Sequence, residues 1–381
     1  MKTHLNIMVA ICLAAFALQS RAASGTSSWT TLFPGIEHAT GWANGTGGDP
    51  YLKVNCLRID LANPNIEFVA TPHTGWGETM TQKTGDFLVE HNVQVAINAQ
   101  SGSPADGGDW VPRWDQDYES DASGALVSQG SISSPEDTWC QELRIDRNNQ
   151  ATILQQPDMA WPYNPGTPVL DSNVWTAICG YRMVLTNGVV VFGETGDEDA
   201  GYYIKSPQQS IGLSQDGHYL YLTTVDGRQP GVSEGLNMHD FGLWLLDFGV
   251  YEAIMLSGGG SATMVKSDGV GGYDFVGIPV GSPYVAIPYD ERHLPANFGV
   301  RSLPPGSRAW NAALGDWATS ANWDTGTLPY KPDDVAIANG GTARITQAGA
   351  CSNLILGAAG NGTLELVGGD TVVGGDAFLT V

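Results

Sequence analysis

Between His218 and Val265 the chain reads as strand, polar loop, helix, strand and glycine loop, and few arrangements satisfy that order. Tyr219 to Val225 is aromatic, aliphatic and β-branched, a composition that favours a strand. Asp226-Gly227-Arg228 interrupts it, and Ser233 or Asn237 can cap the helix that follows. Leu236, Phe241, Leu243, Trp244, Leu245, Leu246 and Phe248 give that helix a broad apolar face, and Gly249 stands where a left-handed C-cap belongs. Tyr251 to Leu256 forms a second apolar strand, ended by Ser257-Gly258-Gly259-Gly260-Ser261. With the two strands parallel in one sheet, the helix is their crossover. Both polar loops then leave the carboxyl edge, where open α/β sheets hold ligands. The expected fold class is α+β, a mixed α/β domain with helices on a mixed sheet, followed by a short all-β, solenoid-like segment. Three successive glycines cost about 1 kcal/mol each relative to alanine in regular structure, and they suit a backbone that must approach a ligand.

Charge narrows the partners. The 381 residues carry 40 acidic against 17 basic side chains, a formal net charge of -23, which argues against nonspecific binding to nucleic acid or to acidic membranes. Any phosphate must be held by a few focused groups, such as Arg228, Arg292 and the amides of the glycine loop. At the N-terminus, Lys2 and His4 precede the apolar run Ile7 to Leu18, and Ser20-Arg21-Ala22 offers small residues for cleavage. That run is shorter than the roughly 20 residues a bilayer requires, so residues 1–22 read as a cleavable signal peptide. The expectation is a secreted, periplasmic or cell-surface protein without membrane insertion. Cys56, Cys140, Cys179 and Cys351 then remain, and Cys140–Cys179 is the favoured pairing because Cys351 lies in a different region. None shows the spacing of a zinc site, and no nearby His makes any of them a nucleophile.

Organisation along the chain is legible. Residues 23–49 read as an extended lead-in, 50–303 as the main domain and 304–381 as a repeat segment. Leu52 to Ala70 reads as a hairpin around Asn63-Pro64-Asn65, Thr79 to His91 as a helix, and Val93 to Asn98 as a strand. The segment Asp106 to Asp121 gathers Asp106, Asp109, Asp115, Asp117, Glu119 and Asp121 around Trp110 and Trp114. Ca²⁺ could bind such a loop, although its spacing is not that of an EF-hand and a solvated acidic loop is the commoner case. Nothing in the sequence requires a cofactor. Trp110 and Trp114 could stack on sugar faces at the rim of a cleft, and Glu194 to Asp199 reads as a solvated hairpin tip. After Leu303-Pro304-Pro305-Gly306 the style changes to Trp310-Asn311, Gly315-Asp316-Trp317, Asn322-Trp323 and short Val, Leu and Ile runs divided by Gly and Asn. This resembles the start of the β-helix modules of autotransporter-like surface proteins, with the repeat expected to be incomplete at Val381.

The main domain resembles the phosphodiester glycosidases, relatives of N-acetylglucosamine-1-phosphodiester α-N-acetylglucosaminidase. The blocks that carry the likeness are Ala96-Ile97-Asn98, Cys179-Gly180 through Leu185 to Gly188, and Ser206-Pro207 to Ile211-Gly212. They continue with Asp226-Gly227-Arg228, Gly231-Val232-Ser233-Glu234-Gly235, Gly258 to Val265, and Glu291-Arg292 followed by Ala296-Asn297. Three departures accompany them. Ser257 stands where the family usually has Asp before the glycines, Gln208 where it has Arg, and Ala99-Gln100-Ser101 replaces a glycine-glycine-aromatic run.

The resemblance implies a glycosidase-like hydrolase acting on a sugar phosphodiester or related glycosidic linkage, with a carbohydrate or glycosyl-phosphate substrate. Glycoside cleavage ordinarily uses two carboxylates, and Asp226 and Glu291 are the candidates, as acid/base or nucleophile. Arg228 and Arg292 would bind phosphate or orient those carboxylates. Asn98 and Ser261 would hold sugar hydroxyls, and Ser233, Ser257, Gly258, Gly259, Gly260 and Asn297 complete the expected binding set. The bland alternative has Asp226 and Arg228 stiffening a turn, with Glu291-Arg292 an exposed pair. Loss of the carboxylate at position 257 also leaves open a catalytically impaired carbohydrate-binding or structural surface protein on the same scaffold.

Overall fold

The computed structural model describes residues 24–45, 51–135, 140–155, 173–193, 202, 204–282, 285–302, 306–329, 333–346, 349–357, 360–368, 371–373 and 377–379. The expected signal peptide, the Glu194–Asp199 tip and most of the Leu303–Gly306 break lie outside those residues. Among the described residues strands hold 47% and helices 9%, with two α-helices, so the expected mixed α/β class with helices on a mixed sheet is overturned. The fold is mostly β. Most apolar runs are short and β-branched, and antiparallel neighbours shield them where helices were expected to do so.

The largest sheet runs in the order Ser24–Thr26, Ile36–Asn44, Tyr51–Asp60, Tyr219–Val225, Gln208–Leu213, Glu252–Met255, Met183–Thr186 and Val189–Val190, and every pairing is antiparallel. The strands Tyr219–Val225 and Glu252–Met255 do run parallel to each other, but Gln208–Leu213 lies between them and is antiparallel to both. The helix Met238–Phe248 joins them as expected. The Asn237 side chain accepts the Asp240 N–H at 2.8 Å, and Gly249 closes the helix at φ 92°. Residues 24–44 are strands of this sheet, so the packed unit begins upstream of residue 50.

A second sheet orders Tyr273–Phe275, Met264–Ser267, Val95–Asn98, Asn297–Ser302 and Ile66–Ala70. The expected Leu52–Ala70 hairpin therefore does not form: Tyr51–Asp60 pairs in the first sheet and Ile66–Ala70 in the second. A third sheet contains Leu126–Ser128, Val174–Gly180 and Gln141–Asp146. Leu57 and Ile59 from the first sheet, Phe68, Ile97 and Phe298 from the second, and Leu143 and Ile178 from the third pack into one core. The other face of the first sheet buries Phe241, Leu245 and Phe248 of the long helix. The second helix is Thr84–Glu90, shorter than expected because Thr79–Met80 is a strand.

Cys140 and Cys179 are free, buried thiols whose sulfurs both lie against Gly124, so the favoured pair is brought together. Burial pushes the Cys179 thiol up. Beyond residue 306 the described strand pairs are parallel, apart from a single antiparallel bridge between Trp310 and Trp323. Ser307 pairs with Asp334, Asp334 with Asn353 and Leu354 with Ala377, while Leu314 pairs with Thr342 and Thr342 with Thr363. Trp310, Trp317 and Trp323 meet edge to face at one end of this stack, over Val335, Ile337 and Ile345. No described helix is long and apolar enough to cross a membrane.

Candidate active site

The parallel run of Tyr219–Val225 and Glu252–Met255 sends the loops 226–228 and 257–261 out at one edge, with Ser206–Pro207 between them. The Gly259 N–H donates to the Pro207 carbonyl at 2.8 Å, and Gly259 takes a left-handed φ of 63° that favours glycine. Asn98 sets the shape of the loop. Its side chain is fully buried, Nδ2 donates to the Ser257 carbonyl at 2.8 Å, and Oδ1 accepts the Thr263 N–H at 3.0 Å. Both ends of the glycine loop are thus fastened to one amide on the neighbouring sheet. The expected role of Asn98 as a sugar ligand is corrected: it has no free polar atom to offer.

Two guanidinium groups flank the glycines. Arg228, itself at φ 58°, brings a terminal nitrogen to 3.0 Å from where a Cβ on Gly259 would lie. Arg292 lies against Gly260, where a Cβ would meet its guanidinium and force that side chain to shift. Its Nε donates to the Gly281 carbonyl, and its guanidinium carbon sits 5.0 Å from the centre of the Trp110 ring. Burial, and then the charge of Arg228, lower the Arg292 pKa to about 10 against the pull of Asp290. Among the described residues neither arginine forms an ion pair, in a chain of net charge -23.

A cleft of about 270 Å³ opens beside this loop. Ser257, Gly258 and Ser261 line it, with Trp110, Trp114, Tyr118, Arg292 and His293 also on its wall. Arg292 and Trp110, already stacked, meet there. His293 was not foreseen. Its Nδ1 lies 2.7 Å from Asp117 Oδ1 and its backbone N–H donates to the Trp114 carbonyl at 2.9 Å. The available signal was its position directly after Arg292; the Asp117 partner, far away in sequence, left none.

The two expected catalytic carboxylates are not among the residues lining the cleft. Asp226 is buried and its Oδ1 accepts the Ile278 N–H at 2.8 Å. Burial raises its pKa to about 6, with Ile278 and Lys53 opposing. Glu291 is buried too. It accepts the Gly85 N–H at 3.1 Å in the first turn of Thr84–Glu90 and the Tyr273 hydroxyl at 2.9 Å, and burial raises its pKa. Glu291 directly precedes Arg292, and Asp226 holds Ile278, three residues before the Gly281 whose carbonyl receives the Arg292 guanidinium. Ser233 donates to the Asp226 carbonyl at 2.6 Å and accepts the Lys53 N–H at 3.0 Å. Asn297 accepts the Thr84 hydroxyl at 2.8 Å and donates to the Gln82 carbonyl at 3.3 Å. Ser233 and Asn297 are fully buried and fix backbone, which corrects their expected place in the binding set.

Asp106 is taken by Arg113 and the Gly108 N–H, and Asp117 by His293. Among the described residues no three carboxylate, His or Cys side chains gather as metal ligands.

Residues 91–301 match the phosphodiester glycosidase family, more than half of the chain. The chain belongs to that family. No curated protein shows significant similarity to it. The solved structures that resemble it at low identity include three. A hypothetical protein from Synechocystis has a TM-score of 0.49 and 13% identity, covering 72% of this chain and 63% of its own. The zebrafish N-acetylglucosamine-1-phosphodiester alpha-N-acetylglucosaminidase catalytic domain, auto-inhibited by its pro-peptide, has 0.48 and 16%, covering 74% and 89%. A putative exported protein from Burkholderia pseudomallei has 0.48 and 13%, covering 68% and 75%. The chain thus spans under two thirds of the Synechocystis protein's length.

For a phosphodiester glycosidase, two of the noted departures fall at this loop. Ser257 opens it, and neither Ser257 Oγ nor Ser261 Oγ bonds to another described residue, so both hydroxyls remain for a ligand. Gln208 lies under Gly258, where its Nε2 donates to Ser206 Oγ and the Leu236 carbonyl, each at 3.0 Å. It braces the loop from below and carries no charge into the cleft.

Proposed function

We propose that the chain is a secreted hydrolase that holds a glycosyl phosphodiester by its phosphate between Arg228, Arg292 and the glycine loop, and cleaves the bond from the anomeric carbon to phosphate oxygen. The observation that carries this reading is the pair of unpaired guanidiniums against successive glycines. Two close cations repel each other, and a bound anion relieves that cost. Arginine also matches phosphate oxygens two at a time. Trp110 and Trp114 would offer flat apolar faces to the sugar, and Ser257 and Ser261 would bond its hydroxyls. Departing phosphate is a far better leaving group than an alkoxide, so the two arginines could stabilise it without a carboxylic acid beside it.

The test is to incubate the secreted chain with a sugar 1-(methyl phosphate) and follow release of free sugar and methyl phosphate. Arg292→Ala should weaken binding of inorganic phosphate at least 10-fold and abolish turnover. A wild-type protein that neither binds phosphate nor releases sugar ends the proposal.

A second reading is favoured by Ser257: a protein that binds glycosyl phosphate without turning it over. Phosphate affinity sensitive to Arg292, with no product from any sugar phosphodiester, would establish it. On either reading we take the parallel coils after residue 306 to be a β-helix of the surface-protein kind, an appendage that carries no chemistry. The protein would act outside the cytoplasm.

A further inference from the structure

We propose that His293 is the general base of this site and that Asp117 is its positioning residue, an inference that rests on the hydrolase reading above. His293 lines the same cleft as Ser257, Ser261 and Arg292. Its Nδ1 is 2.7 Å from Asp117 Oδ1, and an ionised carboxylate can only accept, so Nδ1 carries the proton. In the neutral imidazole Nε2 is then the unprotonated nitrogen, and no described residue bonds to it. The His293 N–H to Trp114 carbonyl bond fixes the backbone, and the Asp117 bond fixes the ring, so tautomer and orientation are both set. The His293 side chain is 13% exposed while that of Asp117 is 66% exposed, so the ring faces inward and its partner stands at the rim.

The chemistry asks for one base. As the water oxygen bonds to the anomeric carbon, its proton passes to His293 Nε2. The bond from that carbon to the phosphate oxygen breaks, and its electron pair leaves on the phosphate beside Arg292 and Arg228. The products are free sugar and a phosphate monoester, and the imidazolium returns its proton to solvent. Arg292 and Tyr118 are the titratable groups that share the wall with the ring, and Asp117 bonds to the ring from the rim. Asp226 and Glu291, occupied by backbone and by Tyr273, need not take part.

The experiment measures kcat and KM against pH for a sugar 1-(methyl phosphate), together with the affinity for inorganic phosphate, in wild type, His293→Gln, His293→Ala and Asp117→Asn. The wild type should lose kcat as pH falls through the titration of a single base. His293→Gln should lower kcat about 100-fold or more, remove that acidic limb, and leave phosphate affinity within about twofold. Added imidazole should restore part of the rate to His293→Ala, which a merely structural histidine would not permit. Asp117→Asn should lower kcat by less than His293→Gln does. If wild type turns over the probe and His293→Gln keeps the rate and the limb, the base assignment falls and the hydrolase reading survives. If wild type binds phosphate but releases no sugar from the probe, the hydrolase reading and the base fall together.

Discussion

Arg292 stacks its guanidinium carbon 5.0 Å from the centre of the Trp110 ring, while Trp110 itself is 38% exposed at the mouth of the cleft. One residue of the acidic loop thus holds one of the two cations that this acidic chain places beside its glycines. A partly desolvated cation–π contact is worth about 1 kcal/mol, and it also limits the rotamers of a long side chain. Trp110→Ala should therefore weaken phosphate binding about 5-fold, with KM rising more than kcat falls, and Trp110→Phe should recover most of it. Calorimetric titration with phosphate checks this. Equal affinities for wild type and Trp110→Ala would show that Gly281 alone fixes the guanidinium.

Asp226 makes a prediction with a definite sign. Its folded pKa of about 6 lies above the usual value of 3.8, so the folded state binds more protons between those limits. The free energy of unfolding consequently falls as pH rises from about 4 to about 6, by up to about 3 kcal/mol, and stays lowered at neutral pH. Asp226→Asn keeps an oxygen for the Ile278 N–H and removes the buried charge. It should be more stable than wild type by about 1–3 kcal/mol at pH 7 and equal to it near pH 4, read from urea unfolding at both values. A destabilised Asn variant at pH 7 would mean that the charge has a native partner stronger than Lys53.

The local chain chemistry announced much of this. The Asn237 cap, the Gly249 terminus and the two strands around the helix follow from residues close in sequence, whereas Arg228 and Arg292 are linked in the sequence only through the family resemblance. Insertion of Gln208–Leu213 between the parallel strands was not legible, because nothing in a strand's own residues names its neighbours. The same blindness affected the site. A motif carboxylate such as Asp226 or Glu291 looks the same whether it faces substrate or a backbone N–H 2.8 or 3.1 Å away. His293 gained its standing from a partner that only the fold supplies.

Asn98 should prove more important to the fold than to recognition. Removing it leaves the Ser257 carbonyl and the Thr263 N–H without their partner, inside a fully buried site. Each such loss costs about 1–3 kcal/mol. Asn98→Ala should lower stability by about 2–5 kcal/mol in denaturant unfolding. Asn98→Asp retains the acceptor for Thr263 but loses the donor to Ser257 and buries a charge, so it should be no milder. A variant that unfolds like wild type yet loses phosphate affinity would return Asn98 to the ligand side.

Ser257 separates a disabled family site from one suited to its own chemistry. It opens the loop that Arg228 and Arg292 flank, and its hydroxyl is left for a ligand. A carboxylate there would stand near both guanidiniums and compete with phosphate for them. Ser257→Asp should accordingly weaken phosphate binding about 10-fold or more, with the loss growing as pH rises through the carboxylate range, because the competing charge then appears. Titration with phosphate at pH 4 and pH 7 measures it. Should the Asp variant bind phosphate as tightly at both values while hydrolysing a sugar phosphodiester faster than wild type, the added carboxylate would be serving the reaction, and the serine would mark a loss from the family's chemistry.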